Sequence, residues 1–337
     1  MSRDHRCFDL HSDIPYAVVR ERAAGRRRVI ADEFRPEMAA AGIAGRVVAV
    51  YVDETYLPEL ALRRALGAVE AIRKEVEETE QLSLATTAEG LDAAAERDRH
   101  ALVLGMEGAE ALKGDRSMLD AFYRLGLRVL TLTHSRRNAA GDGSFFAPTR
   151  SGTPGGLSAF GVEVVERADE LGVLVDVSHL NEPGFWDVLE FADGPVIASH
   201  SNCRALRNHP RNLTDDQLAA VADAGGVVGL TAVGWFLAAP GEGSTVEDYL
   251  DHVEHAVDVV GPDHVGVGFD FVEYLRPFLS DAERARLPDP MPVEGLRGDA
   301  DVADLGARLA ERGFGDDAVA RILRDNSVRV LRAVLGE

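Results

Sequence analysis

Short apolar runs alternate with longer amphipathic stretches along almost the whole chain. Eight of the runs, Arg6–Asp13, Arg46–Val52, Ala101–Gly105, Arg128–Thr133, Val173–Ser178, Val196–Ser199, Val227–Thr231 and Val265–Phe269, are rich in Val, Leu and Ile. They are short and apolar on both faces, which predicts strands covered on both sides, as parallel strands are. Between them, Leu60–Thr79, Leu157–Leu171 and Val246–Val260 carry apolar residues at helical spacing. Thr214-Asp215-Asp216 predicts a cap and an acidic first turn for a helix over Thr214–Ala224, and Ala318–Leu335 predicts a closing helix ended by Gly336. Eight strands separated by helices in 337 residues is the element count of an α/β fold of the (β/α)8 TIM-barrel type. An open doubly wound sheet is the alternative that periodicity alone leaves standing. No linker, solenoid-length repeat or low-complexity tract divides the chain, so one barrel domain over residues 1–337 is expected, with Gly141–Gly156 as a loop over its mouth.

Composition narrows the function. Hydrophobic residues make up 46% and charged residues 28%, as in a globular enzyme. No apolar run approaches the roughly 20 residues that span a bilayer. Met1–Leu10 is charged and lacks the apolar core of a signal peptide, so a cytoplasmic location is expected. A net charge of −21 repels phosphate backbones and anionic lipids, which disfavours nucleic acid and membrane as partners and leaves a small-molecule substrate. Cys7 and Cys203 cannot make a thiolate cluster or a disulfide framework, so any metal must be held by His and carboxylates.

The candidate chemistry gathers at one end of the strands. His11 and Asp13 end the first, Glu107 follows the third, His134 the fourth, His179 the fifth and His200 the sixth; Asp270 closes the eighth. In a barrel those ends converge on one mouth. His11 and Asp13, two apart on a strand, point to the same side and can share one ion. Imidazole nitrogen and carboxylate oxygen suit zinc and tolerate manganese or cobalt. Each residue alone has a plainer reading: a hydrogen-bonded structural histidine, an Asp capping the next helix, or, for Glu107 with Glu110 one turn on, a solvated loop carboxylate. Joint placement in this order favours a metal site. His100 and His264 begin their strands at the opposite end, His252 and His255 fall on a helix, His5 on the terminus and His209 in a loop.

The stretches Asp9-Leu-His-Ser-Asp13, Gly105-Met-Glu-Gly108, Leu132-Thr-His134, Asp176-Val-Ser-His179, Ser199-His-Ser201, Arg211-Asn212 and Gly268-Phe-Asp270 resemble, in order, the renal (membrane) dipeptidase family of zinc peptidases, amidohydrolase-like barrels. The resemblance runs from about residue 8 to Asn326-Ser-Val-Arg-Val-Leu331. It implies two zinc ions bridged by Glu107, with His11 and Asp13 completing one site, His179 and His200 the other, and Asp270 beside the first ion, handling the proton. It implies that His134 contacts substrate, that Arg211 binds the substrate carboxylate, and that the protein is a homodimer. Related barrels often use a carboxylated lysine as the bridge; neither Lys74, on a helix, nor Lys113, beyond Glu107, sits at a strand end, which independently favours Glu107. The implied reaction is hydrolysis of dipeptides, including those with a D-residue at the C-terminal position, by a metal-activated hydroxide.

The chain departs from the family at Ser12, where Asn is frequent, and at Gly234-Trp235-Phe236, where an Asn-Phe-Tyr type sequence is common and a phenol hydroxyl is lost. Ser135-Arg136-Arg137 after His134 is unusually basic, which raises an acidic C-terminal substrate residue against the plainer reading of solvated loop arginines. The rivals are another amide or lactone hydrolase, β-lactams included, on the same site, and a non-catalytic metal- or ligand-binding protein. Asp270 and His134 argue against the last, since binding alone needs neither a proton shuttle nor an oxyanion donor.

Overall fold

A computed structural model describes residues 6–144, 153–239, 242–279 and 292–336. Its strands are β1 Cys7–Ser12, β2 Ile43–Tyr51, β3 Leu82–Leu84, β4 His100–Glu107, β5 Leu127–Thr131, β6 Leu174–Asp176, β7 Val196–Ala198, β8 Val227–Leu230 and β9 Val265–Val267. Every ladder is parallel, in the order β2-β1-β9-β8-β7-β6-β5-β4, and β2 pairs with β4 from Gly45↔Ala101 to Tyr51↔Glu107, which closes an eight-stranded barrel. The doubly wound alternative is excluded by that last ladder. β3 pairs with His100–Leu102 of β4, while β5 takes up β4 from Leu104 onward, so β3 flanks the barrel without being one of its staves. Its three residues are too few to give a periodic signal, and the sequence pattern misses it. The fourth stave's predecessor, β4, also runs on through Glu107 rather than stopping at Gly105.

Alternation along the staves builds two apolar layers. Phe8, Val47, Val103, Val129, Leu174, Ile197 and Val227, from seven different staves, belong to one buried cluster, which is possible only if they meet inside the barrel. Val330, Leu331 and Leu335 of the closing segment join them. The neighbouring strand residues, among them Val48, Leu104, Leu130, Val175, Ala198 and Val228, pack outward with the helices. Helices stand at Ala61–Glu78, Ala159–Leu171, Asp215–Asp223 and Val246–Val260, close to the expected bounds. The Thr214 cap is a full capping box: Thr214 Oγ1 accepts from the Gln217 amide at 3.2 Å, and Gln217 Oε1 from the Thr214 amide at 3.0 Å. The closing helix is interrupted by a π turn, Arg321–Asp325, before Asn326–Val334. Asn326 donates to the carbonyls of Pro262 and Val265 at 2.7 and 2.8 Å, tying that helix to the start of β9. Of the expected loop Gly141–Gly156, residues 145–152 lie outside the described residues, as does His5.

Two close approaches shape the mouth. A Cβ on Gly229 or Gly268 would lie 2.1 or 1.8 Å from the Ser199 carbonyl oxygen, so β8 and β9 reach the end of β7 only because both positions lack one. Below the mouth, Asp9 Oδ1 accepts the amides of His11 and Phe269 at 3.2 and 3.0 Å, joining the two edges at the β1–β9 seam. Arg46, 2% exposed, balances Asp9 at 3.6 Å and Asp299 at 2.7 Å. No helix among the described residues is long and apolar enough to cross a membrane.

His252 gives the fold a pH dependence. Its Nδ1 accepts the Cys203 amide at 3.0 Å, which requires an unprotonated Nδ1, and burial lowers its pKa from 6.5 to about 4. The unfolded chain therefore takes up a proton that the folded one refuses between pH 6.5 and 4, and stability falls as pH falls through that window. A shift of that size is worth roughly 3 kcal/mol. Urea unfolding at pH 7.5 and 4.5 should show a loss that is smaller by about that amount in His252→Asn, whose carbonyl keeps an acceptor without titrating. Equal losses in both proteins would show that His252 does not set the dependence.

Candidate active site

The barrel mouth brings together every residue the strand ends nominate. His11 lies in β1 and Asp13 just beyond it, Glu107 ends β4, His134 follows β5, His179 β6, His200 β7 and Asp270 β9. Glu107 Oε1 stands 3.1 Å from His179 Nε2, 3.6 Å from His200 Nε2 and 3.8 Å from His11 Nε2. His11 Nε2 is in turn 3.8 Å from Asp13 Oδ1 and 3.9 Å from Asp270 Oδ1. Ligands of a tetrahedral zinc sit about 2.0–2.1 Å from the ion, hence roughly 3.4 Å from one another. The observed spacings suit atoms sharing a cation. Three sets have ligand atoms within 4.8 Å of one another: His11, Glu107 and His200; Glu107, His134 and His179; and His11, Asp13 and Asp270. This grouping differs in part from the one the resemblance implies: His200 stands with His11, and His134, the implied substrate contact, stands with His179.

The electrostatics favour a divalent ion. Burial, then Asp270, pushes Glu107 up to about 8; burial, then Glu107, raises Asp13, and burial, then Asp13, raises Asp270. Burial lowers His11 to about 3 and drives His134, His179 and His200 well below the usual imidazole range. Left to themselves the carboxyls resist ionisation and the imidazoles resist protonation. A dication reconciles both, since it takes ionised carboxylates and neutral imidazoles as ligands. His200 Nε2 and Asp13 Oδ1 are buried without a hydrogen bond, as atoms reserved for such an ion are. His179 and Asp270 also hold left-handed backbones, φ 68° and 55°, which non-glycine residues adopt at a cost of about 1–3 kcal/mol and keep chiefly where function demands it.

The surrounding residues were less legible. Arg211 is 2% exposed; Nη1 lies 3.4 Å from Ser201 Oγ, Nη2 donates to the His200 carbonyl at 3.1 Å, and Nε is buried with no hydrogen bond. Burial lowers its pKa to about 10 against the opposing pull of Asp270 and Glu107. The Gly234–Phe236 turn lays the Phe236 ring 5.3 Å from the Arg211 guanidinium and offers it no hydroxyl. Of the two basic residues after His134, Arg137 is exposed as a solvated loop arginine is, whereas Arg136 is largely buried. Arg136 Nε donates to Glu110 at 2.8 Å, Nη1 to the Tyr51 hydroxyl and Nη2 to the Val52 carbonyl, both at 3.1 Å. Arg137 pairs with Asp142, Nη2 to Oδ2 at 2.7 Å. Both guanidiniums are therefore committed within the protein, and Glu110 is the anchor of one of them rather than a spare carboxylate. Tyr51, which the sequence did not single out, ends β2 opposite Glu107 with its ring 4.8 Å from that of His134.

A closed parallel barrel with a carboxylate–imidazole cluster at the C-terminal mouth defines a metal-dependent hydrolase. The profile of the membrane dipeptidase family, peptidase family M19, matches residues 1–335, and the chain belongs to that family. Among curated relatives, dipeptidase verJ of Clonostachys rogersoniana is 31% identical over 279 residues, covering 81% of this chain and 66% of its own. The chain spans between 41% and 89% of the length of five curated relatives it matches. Among solved structures, dipeptidase AC, a family M19 metallopeptidase, superposes with a TM-score of 0.85 at 28% identity, covering 98% of this chain and 99% of its own. A metallopeptidase from Rhodobacter sphaeroides, liganded with a phosphinate mimic of the dipeptide L-Ala-D-Ala, gives 0.84 at 27% identity with the same coverage.

Metal removal tests the cluster. Ions bound at a thousand times their Kd add about 4 kcal/mol each, so stripping divalent ions should lower Tm by about 5 °C or more, with zinc restoring it. An unchanged Tm would mean that these residues hold no ion in the folded state.

Proposed function

We propose that this protein is a dipeptidase that works with two divalent cations, zinc foremost, held by His11, Asp13, Glu107, His179, His200 and Asp270, with Glu107 shared between them. Bound ions of this kind acidify a water and polarise a carbonyl. The remaining chemistry belongs to the chain. Asp270, beside His11 and raised by its surroundings, takes up a proton and returns it to the leaving amine. His134, whose Nδ1 is 3.0 Å from Ser135 Oγ and whose ring stacks on His179, is oriented to donate to the carbonyl oxygen as it gains charge.

The observation that carries a dipeptide over a lactone is Arg211. A buried guanidinium with an uncommitted Nε beside the cluster suits a free carboxylate, and an uncharged lactone would leave it unanswered. The L-Ala-D-Ala mimic in the Rhodobacter protein supports L,D-dipeptides as substrates here as well. A requirement for an acidic C-terminal residue loses its support once Arg136 and Arg137 are engaged by Glu110 and Asp142. Tyr51 supplies the phenol that the Gly234-Trp235-Phe236 turn lacks. Its oxygen accepts from Arg136, so its own proton is left to donate toward substrate.

Zinc-loaded protein offered L,L- and L,D-dipeptides, neutral and acidic at the C-terminal position, should release free amino acids and stop when a chelator is added. Neutral and acidic substrates should be turned over within a few-fold of each other. Arg211→Ala removes one side of a buried charge pair, a loss of about 2–5 kcal/mol, and kcat/KM should fall at least 30-fold; a lactonase would lose little. Tyr51→Phe should lower kcat/KM about 10-fold with metal content unchanged, the worth of one strong hydrogen bond. Full activity in that variant would remove Tyr51 from the site.

A further inference from the structure

Asp176, the last residue of β6, is fully buried and touches none of the groups assigned to the reaction. Its carboxylate is saturated. Oδ1 accepts the backbone amides of Ser178 and Ser199 at 2.9 and 2.8 Å; Oδ2 accepts the hydroxyls of Thr131 and Ser199, both at 2.6 Å. An ionised carboxylate only accepts, so the single hydroxyl proton of Ser199 points at Asp176. Ser199 Oγ also lies 2.6 Å from His200 Nδ1. With its proton already given away, that oxygen can only accept, and Nδ1 must carry the hydrogen. His200 Nε2 is then left as a bare lone pair, 3.6 Å from Glu107 Oε1 and without a hydrogen bond.

The backbone that carries Ser199 and His200 is held in place. The Ser199 carbonyl is wedged against Gly229 and Gly268, where a Cβ would come within 2.1 and 1.8 Å. The His200 amide is held in turn by Ser178 Oγ at 3.1 Å. The carboxylate therefore links β5, through Thr131, and the residue after β7, through Ser199, to its own stave, and aims one imidazole.

We propose that Asp176 is a positioning residue which, through the Ser199 hydroxyl, fixes the tautomer and ring orientation of His200 for a metal ion. Outer partners of this kind typically govern 10–100-fold in metal affinity. The inference rests on the metal-binding reading of the cluster and not on the dipeptide reading, and its test is read on metal binding rather than turnover.

The metal-free full-length protein is titrated with Co2+ and with Zn2+ against a chromophoric chelator, and the visible Co2+ spectrum is recorded. Ser199→Ala should weaken one of two sites about 10–100-fold and alter the spectrum of that site, leaving the other within a few-fold. Ser199→Thr, which keeps the hydroxyl, should restore it. Asp176→Asn keeps the volume, but an amide NH2 at the Oδ2 position would donate to Ser199 and turn the serine proton toward Nδ1, imposing the wrong tautomer. Folded Asp176→Asn should lose at least as much affinity as Ser199→Ala, and it carries the test should Ser199→Ala not fold. Unchanged affinity in folded Asp176→Asn overturns the proposal. So does equal weakening in Ser199→Ala and Ser199→Thr, which would make the loss one of packing.

Discussion

The structure turns on a carboxylate that has no good charge state by itself. Glu107 is buried with three imidazole nitrogens within 4 Å and two further carboxylates close by. Ionised, it loses its hydration; protonated, it wastes the imidazoles. A cation removes the conflict for the whole set, because the same ion stabilises the carboxylates and takes the lone pairs of neutral histidines. Six of the eight staves, β1, β4, β5, β6, β7 and β9, contribute to this arrangement, so the β2–β4 ladder that closes the barrel also helps to assemble the site.

The buried carboxylates divide into those that need an ion and those already satisfied. Asp176 has four donors in van der Waals confinement and asks for nothing more. Asp9 has two backbone amides and Arg46 at 3.6 Å, and burial still lifts it to about 7. Asp13 and Asp270 lack such donors, and burial and the neighbouring carboxylates raise both. Buried charge in the fold is thus compensated by hydrogen bonds beneath the mouth and left uncompensated at it, which is where a ligand can do useful work.

Most of this was legible from strand ends. An apolar run followed by His, Asp or Glu is visible in a string of residues, and a parallel barrel guarantees that such ends meet. Where the reading fell short, the missing information was non-local. β3 is three residues long. Arg136 read as solvated because Glu110, 26 residues away, and Tyr51, 85 residues away, cannot be seen from it. Tyr51 read as the tail of an apolar strand because its partner at the mouth, His134, lies on another stave. The grouping of His134 with His179 was equally invisible, since ring-to-ring distances follow from barrel curvature rather than from spacing.

The metal cluster does not by itself choose a substrate, because hydroxide at a polarised carbonyl serves lactones and amides alike. The choice has to come from groups that recognise what stays unchanged in the reaction. In this mouth the fixed cations are Arg136, neutralised by Glu110, and Arg211, whose Nε is unanswered and whose burial has already lowered its pKa to about 10. A desolvated guanidinium gains most from an ionised partner, since the cost of removing it from water has been met in folding. The neighbouring Phe236 ring, 5.3 Å from the Arg211 guanidinium, brings no competing charge. A preference for a substrate with a free carboxylate would then arise from a buried charge awaiting its counterpart and not from the metals.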